Sequence, residues 1–531
     1  MKTKKAIFFL FVFLSYIPVL AQVDTAWVRR YNGPGNSFEF ANALAVDNNG
    51  NVYVTGSSSG DSVTTADYAT IKYSPTGETL WVRRYNGPGS VLDDAHALAV
   101  DNNGNVYVTG SSSGDSVTTA DYATIKYSST GDTLWLRRYN GPENTLDLAR
   151  SLCLDDSGNV YVTGLSRNSV TLSDYATIKY SPSGETLWVR GYNGPGNDQD
   201  GPLALVVDDS GNVYVTGWSI GTIYPDYDYA TIKYSPAGET LWVRRYNGPG
   251  NGSDVAVAVA IDGTGNVYVT GRSLGRGTSV DYATIKYSPA GDTLWVRRFD
   301  GLGNGDDAAS ALAVDDSGNV YVTGSSFGLG TFSDFATIKY TPNGDILWVK
   351  RYNGQGNGID GASALAVDDS GNVFVTGTTD YSCDFPRCAG DYTTIKYAPN
   401  GDILWVKGYN GPGNGADRAT ALVLDDNGNV YVTGYSAQNF IYFYNYDYAT
   451  IKYVQFSCIA MPGDADGDIQ VLFSDIVTMI NFLFKSQPAP NPSCRADANA
   501  DGNVLLPDIV YLINFLFKSG PAPQKSRECC L

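Results

Sequence analysis

Ala43-Leu44-Ala45-Val46-Asp47-Asn48-Asn49-Gly50-Asn51-Val52-Tyr53-Val54-Thr55-Gly56 decides the fold. Two short runs of strand-forming residues are joined by an Asp/Asn/Gly cluster, which tolerates the positive φ angles of a tight hairpin. A third run, Asp67 to Tyr73, alternates with period two. Ser74-Pro75-Thr76-Gly77 predicts another turn, and Leu80 to Tyr85 a fourth strand. The same text then recurs, anchored by Trp27, Trp81, Trp135, Trp188, Trp242, Trp295, Trp348 and Trp405 at spacings of 53 to 57 residues. Four antiparallel strands per unit of this length is the pattern of a β-propeller blade. One blade has two apolar faces. Side-by-side packing covers both, and closing the ring removes the unprotected ends.

The chain ends predict how the ring closes. Trp27-Val28-Arg29-Arg30-Tyr31 reads as a fourth strand with no blade before it. The last copy, Ala421 to Tyr453, supplies three strands and then departs into Val454-Gln455-Phe456-Ser457-Cys458. The expectation is a mainly β protein, with an eight-bladed propeller over residues 22–456 whose last blade is stitched from both ends.

Asp-Ser-Gly-Asn-Val-Tyr-Val-Thr-Gly stands at Asp156 to Gly164 and again at Asp316 to Gly324. These repeats resemble the bacterial β-propeller repeat (SBBP-type) family over roughly Gln22 to Phe456. Its members are usually described as seven-bladed, so the count of eight departs from that pattern. The resemblance implies architecture and export, and no common reaction.

Met1 to Ala21 has a basic start at Lys2, Lys4 and Lys5, and an apolar run from Ala6 to Leu20. Val19 and Ala21 are the small residues a signal peptidase reads, so cleavage before Gln22 and an extracellular or cell-surface location are expected. No later stretch is apolar and long enough to span a bilayer. The formal charge is −19, and loss of the three leader lysines takes it to −22. Such a chain repels nucleic acid and anionic membranes. The single histidine, His96, excludes multi-histidine metal sites, and because other copies carry unrelated residues there it reads as a variable loop residue.

The seven cysteines of an exported chain suggest disulfides. Cys383 and Cys388 lie in an insertion unique to the seventh repeat and could staple it. Cys458 and Cys494 are a second candidate pair. Cys153 reads as a buried free thiol, and Cys529 and Cys530 have no assignable partners.

Within each repeat the first-to-second and third-to-fourth turns are monotonous, and variation falls on the opposite rim. Unlike loops on one face suit a binding surface. Trp218 and Tyr224, with Phe440, Tyr442, Phe443 and Tyr444, are the aromatic candidates there, suited to sugar rings or peptide side chains. The repeat-borne acids, such as Asp47 and Asp101, read as turn residues. The Arg and Lys of the Trp-Val-Arg-Arg and Ile-Lys-Tyr strings read as a solvated edge on outer strands.

After a linker at 457–462 the composition changes. Asp464, Asp466, Asp468, Gln470 and Asp475 recur thirty-three residues on as Asp497, Asn499, Asp501, Asn503 and Asp508. Oxygen ligands at loop positions 1, 3, 5 and 12, with the carbonyl of position 7, are the spacing that wraps Ca²⁺. Each loop runs into an amphipathic helix. Two such units with Asp at position 12 resemble a type I dockerin over 463–523, before a polar tail at 524–531. That resemblance implies a Ca²⁺-dependent module that docks onto a cohesin. The first loop has Ile469 where the second has the turn-favouring Gly502, and position 9 is Leu472 or Leu505. The second loop is therefore expected to bind Ca²⁺ more strongly. The partner-contact positions of such modules usually carry small hydroxyl residues. Here they are Phe473-Ser474 and Leu506-Pro507, which points away from a standard cellulosomal cohesin.

The leading expectation is a secreted, non-catalytic binding or scaffold protein. The alternative is a polysaccharide-degrading enzyme, a glycoside hydrolase or lyase on a tethered propeller. It would need paired carboxylates, or a base beside an anion-neutralising group, in the central funnel. Asp226, Asp380 and Asp384 break the repeat but read as surface-loop residues outside any known motif.

Overall fold

In the computed structural model, residues 22–524 are described apart from 61–64, 90–91, 115–118, 222–225, 385–386, 439–444, 457–462, 467–469, 486, 491–492, 501–502 and 519; at 22, 382–389 and 456 only the backbone is. The chain divides into Thr25–Val454 and a second unit that takes in Gln455–Leu531.

The larger unit consists of eight four-stranded antiparallel sheets. Blade one comprises Glu39–Val46, Val52–Ser59, Ala66–Tyr73 and Thr79–Tyr85, hydrogen-bonded in that order. The turn reading holds: Asp47 accepts the amide of Gly50 at its carbonyl, and Gly50 has φ +75°. First strands lie innermost, where they hydrogen-bond to one another across blades: Asn42 Nδ2 donates to the Ala95 carbonyl (2.8 Å). A bulge recurs in each first strand, as at Ala41/Ala43.

Closure is as the chain ends predict. Blade eight is Asp417–Leu424, Val430–Ala437 and Tyr446–Phe456, completed by Gln22–Tyr31. Thr420 Oγ1 donates to the Ala41 carbonyl (2.8 Å) and Tyr448 OH to that of Ala69 (3.3 Å), so blade eight meets blade one.

The core lies between blades. Trp81 of blade one sits 6.1 Å from both Tyr53 of its own blade and Tyr127 of the next. Ala95, Val106, Val108, Ala123 and Ile125 of blade two complete that cluster. Each blade thus buries its neighbour's face, which is why the tryptophan recurs once per repeat.

The expectation of solvated Arg and Lys is overturned. Lys72 is 7% exposed and lies on the third strand. Its ammonium donates to the Ser129 carbonyl in the next blade (3.0 Å) and lies 5.0 Å from the Tyr53 ring. A buried ammonium persists only with such partners. Arg83 donates from Nε to the Gly131 carbonyl (2.6 Å), and Arg84 pairs with Asp67 (2.7 Å). These cations are inter-blade and intra-blade clamps.

The second unit holds α1 (Phe473–Lys485) and α2 (Leu506–Lys518). Ile476 and Met479 meet Ile509 and Leu512, with Ala465, Ala496 and Ala498 between them. No helix among the described residues is long and apolar enough to cross a membrane.

Candidate functional site

On the uniform rim the first aspartate of each turn is committed to the turn itself. Asp47 accepts backbone N–H bonds from Asn49 and Asn51 (both 2.9 Å), the Asn51 amide (2.8 Å) and the Tyr53 hydroxyl (2.8 Å). Burial would raise this carboxyl, but the hydrogen bonds outweigh it and hold the pKa below its usual value. A cleft of about 320 Å³ lined by Asp315, Lys339, Asp368 and Pro399 recurs in equivalent form between other blades. Its recurrence marks it as a product of packing.

The other rim is uneven, and its most distinctive place is the junction of blades eight, one and two. Phe38 and Phe40 stack with centroids 5.8 Å apart. Tyr435 meets Phe40 edge-on at 4.8 Å, and Tyr446 lies 5.6 Å from Phe40. On their other side the two phenylalanines wall a cleft of about 450 Å³ with Ser57, Thr65, Leu92, Asp94 and Ser111. Leu92 is 58% exposed. This is the most apolar of the clefts described, with hydroxyls and the carboxylates of Asp93 and Asp94 at its edges. Sequence reasoning missed it because Phe38 and Phe40 lie on the first-strand side of the rim. The signal was present: where blade one has Phe40 the other copies have Asp94, Leu148, Gly201, Val255, Ala308, Gly361 and Arg418.

His96 is not in a loop, as expected from its variability. It occupies the bulge of the blade-two first strand, Asp93–Val100. Its Nε2 lies 3.4 Å from Arg150 NH1 and 3.8 Å from Asp94 Oδ2. Asp94 Oδ1 in turn accepts from Asn42 Nδ2 (2.9 Å). Burial pushes the imidazole below its usual range, with Asp94 pulling up and Arg150 pushing further down. The chain Asn42–Asp94–His96–Arg150 crosses three blades and shares Asp94 with the aromatic cleft.

The other candidates are spread out. Trp218 belongs to the strand Val213–Ile220 rather than to a loop, and packs edge-on against Tyr227 at 4.7 Å above Gly201. Tyr224, Phe440, Tyr442, Phe443 and Tyr444 lie outside the described residues. Asp226 borders the strand Tyr227–Tyr234. Asp380 lies within Val373–Asp384 instead of a loop, and its carboxylate accepts the amide N–H of Gln355 (2.9 Å) and of Gly356. The Asp384 side chain is outside the described residues, though its backbone is also in that strand. Strand register sets Cys383 opposite Cys388, whose side chains are likewise undescribed. Cys494 is disulfide-bonded, and Cys458, Cys529 and Cys530 are outside the described residues. Cys153 is a free, half-buried thiol whose pKa burial pushes up.

In the helical unit, carboxylate oxygens of Asp464, Asp466 and Asp475 lie within 4.8 Å of one another. Asp475 accepts the N–H of Leu472 (2.6 Å) and Asp466 (3.1 Å); Asp508 accepts those of Leu505 (2.9 Å) and Asn499 (3.2 Å). Each therefore caps its helix and ties its loop down. Asp464, Asp475 and Asp508 are almost wholly buried, and Arg495 pairs with Asp464. Gln470 and Asn503 are exposed, while Asp468 and Asp501 lie outside the described residues. Two buried carboxylates and one exposed one this close together are hard oxygen donors of the kind a Ca²⁺ ion takes.

By fold the chain is a β-propeller protein with an appended helical unit. Its repeats match the β-propeller repeat (SBBP) family at residues 26–62, 80–116, 196–225 and 294–328. An uncharacterised WD repeat-containing protein of Acanthamoeba polyphaga mimivirus is 25% identical, over 76% of this chain and 34% of the relative. The chain thus spans about a third of the length of that relative. Among solved structures it is similar to a polysaccharide lyase (TM-score 0.42, 10% identity, 70% of this chain and 92% of that one). It is also similar to the extracellular domains of Drosophila semaphorin 1b (TM-score 0.37, 9% identity, 81% and 87%).

Proposed function

We propose that the protein is a secreted, non-catalytic recognition protein whose propeller captures a glycan or peptide on its variable rim. The observation that carries this reading is the cleft of about 450 Å³ walled by Phe38 and Phe40. Aromatic faces with hydroxyls at their edges suit ligands that are apolar on one side and polar around the rim. Array screening of the full chain on glycans and peptides is the test. Phe40→Ala should cut binding at least about tenfold, the loss of one stacked ring. Unchanged binding in that variant overturns the placement.

The C-terminal unit is the attachment module in this reading, folded around two Ca²⁺ ions and docking onto a cohesin-like or cell-surface partner. Support comes from paired apolar rows on the helices: Phe473, Val477 and Phe484 on α1 match Leu506, Val510 and Phe517 on α2, all at least 40% exposed. The second loop holds Ca²⁺ more tightly, because it has Gly502, and because Arg495 already neutralises Asp464 in the first. Calorimetric Ca²⁺ titration should resolve two sites, with Asp508→Ala removing the stronger and Asp475→Ala the weaker. Two equal sites, or none, reject this.

The enzymatic alternative has one observation in its favour. His96 beside Arg150 is a base next to an anion-neutralising group, which a polysaccharide lyase requires to abstract a proton next to a uronate carboxylate. Turnover of uronate polysaccharides that disappears in His96→Ala would establish it over simple binding.

A further inference from the structure

Six blades hold an arginine at the second position of their Arg-Arg or Lys-Arg pair: Arg30, Arg84, Arg138, Arg245, Arg298 and Arg351. Each guanidinium sits in a receptor between an aspartate and a serine, and all but that of Arg351, which has Phe299 there, also reach a tyrosine hydroxyl of the preceding blade. Arg84 shows it: NH2 pairs with Asp67 (2.7 Å) and the Ser58 carbonyl (3.0 Å), while NH1 reaches Ser58 Oγ (2.6 Å) and the Tyr31 hydroxyl of the preceding blade (3.2 Å). Arg138 repeats it with Asp121, Ser112 and Tyr85. About a fifth of each arginine side chain remains exposed, so the receptor opens to solvent.

Blade three keeps the receptor and lacks the arginine. Its fourth strand, Thr186–Tyr192, has Gly191 there. Ser166 still faces Asp174 across the sheet, as Ser58 faces Asp67, and Tyr139 stands where Tyr31 does. Asn168 Nδ2 takes Asp174 Oδ2 (2.9 Å), the oxygen that arginine takes elsewhere, so an incoming guanidinium would displace it; Oδ1 has no hydrogen-bond partner, as in Asp281 and Asp334 beside their arginines. A second carboxylate, Asp147, is fully buried with one oxygen unpartnered, as in its counterparts Asp200 and Asp417. In three arginine-bearing blades the guanidinium charge bears on the acid at this place, Arg84 on Glu39, Arg245 on Asp200 and Arg30 on Asp417. The backbone is not what excludes a side chain at Gly191: an added Cβ would meet nothing nearer than the Tyr175 carbonyl at 3.6 Å. Blade seven has the same exchange at Gly408, but there Asp380 adds its charge beside Asp391, so the two places differ.

We propose that blade three is a binding site for a guanidinium group supplied from outside, the arginine side chain of a peptide ligand. The chain itself shows five times which group this arrangement of carboxylate, serine hydroxyl, serine carbonyl and tyrosine hydroxyl accepts. The planar fork of a guanidinium reaches all four together, and an ammonium does not. Arginine on a partner would neutralise two acids that have no cation partner among the described residues.

The full-length protein is titrated with N-acetyl-arginine amide, its lysine counterpart and guanidinium at matched ionic strength, with the propeller's tryptophan fluorescence read during melting. The arginine compound and guanidinium should each raise the melting temperature to a plateau, and the lysine compound should not. Gly191→Arg should raise the melting temperature unaided and abolish the response. Asp174→Asn should abolish it without filling the receptor, which covers the case where Gly191→Arg misfolds. Phe40→Ala should leave it intact, so this site and the aromatic cleft stand or fall separately. An equal response to the lysine compound, or a response that survives Asp174→Asn, overturns the proposal.

Discussion

Lys72 and Arg84 lie on adjacent strands of blade one, and the structure separates them sharply. The Ser129 carbonyl that Lys72 reaches also accepts Trp81 Nε1 (3.2 Å), so it stays satisfied when the ammonium is removed. Asp67, 13% exposed at its side chain, has Arg84 as its cation and would be left with an uncompensated charge. Breaking a largely buried pair from one side costs about 3–5 kcal/mol, whereas an apolar replacement that strands nothing is near neutral. Lys72→Met should therefore cost under about 1 kcal/mol and Arg84→Met about 3 kcal/mol in denaturant unfolding. Similar costs for the two would show that the clamps act as one unit. In blade three, which lacks the arginine, Asn168 donates a single hydrogen bond to Asp174 and brings no charge.

The first strands and the turns that follow them respond oppositely to pH. Burial pushes Glu39, at the head of the blade-one first strand, up to about 7, and Asp200, Asp360 and Asp417 up to about 6. Such groups take a proton more readily in the fold, so stability rises as pH falls through these values and the gain is complete below the unfolded pKa. In the turns burial is outweighed: hydrogen bonds from Thr264, Asn266 and Tyr268 bring Asp262 down to about 2. Its contribution is present above the unfolded value and lost as pH falls toward 2. The propeller should thus be more stable at about pH 5 than at pH 8, and lose stability again below about pH 4. All nine tryptophans lie between Trp27 and Trp405, so fluorescence melts of the whole chain report this unit alone. A flat profile from pH 8 to 5 contradicts the placement of these acids. The strands and turns were legible in the sequence because Val52-Tyr53-Val54 and Asp47 to Asn51 encode local geometry. Lys72 was misread because its partner is the carbonyl of a residue in another repeat. The His96–Arg150 contact was missed for the same reason, and so was the cluster of Phe38 and Phe40 with Tyr435 and Tyr446 from the other end of the chain: such neighbours become adjacent only once the blades stack and the ring closes.

The ring as a whole depends on ten residues from its N-terminal end. Gln22–Tyr31 supplies the outer strand of blade eight and wedges Trp27 between Tyr431 of that blade (6.3 Å) and Tyr73 of blade one (6.0 Å). Trp27 Nε1 also donates to the Pro75 carbonyl (3.1 Å), and Arg30 pairs with Asp447 (2.9 Å). Every other blade is one continuous stretch of chain. Blade eight is joined across the seam between Gln22–Tyr31 and Tyr446–Phe456 by strand pairing and side chains, and its closing strand is replaceable in principle. A chain beginning at Asn32 would keep seven complete blades and expose the unpaired edge of Tyr446–Phe456, whose alternating apolar residues invite pairing with another copy. That truncation should self-associate and melt at a lower temperature than the parent. A synthetic Gln22–Tyr31 peptide added in trans should restore the monomer, and the same peptide carrying Trp27→Ala should not, since it can pair the edge without filling the wedge. A truncated chain that stays monomeric with an unchanged melting temperature would mean that blade-to-blade burial alone holds the ring closed, and that the stitched strand serves only to cover an edge.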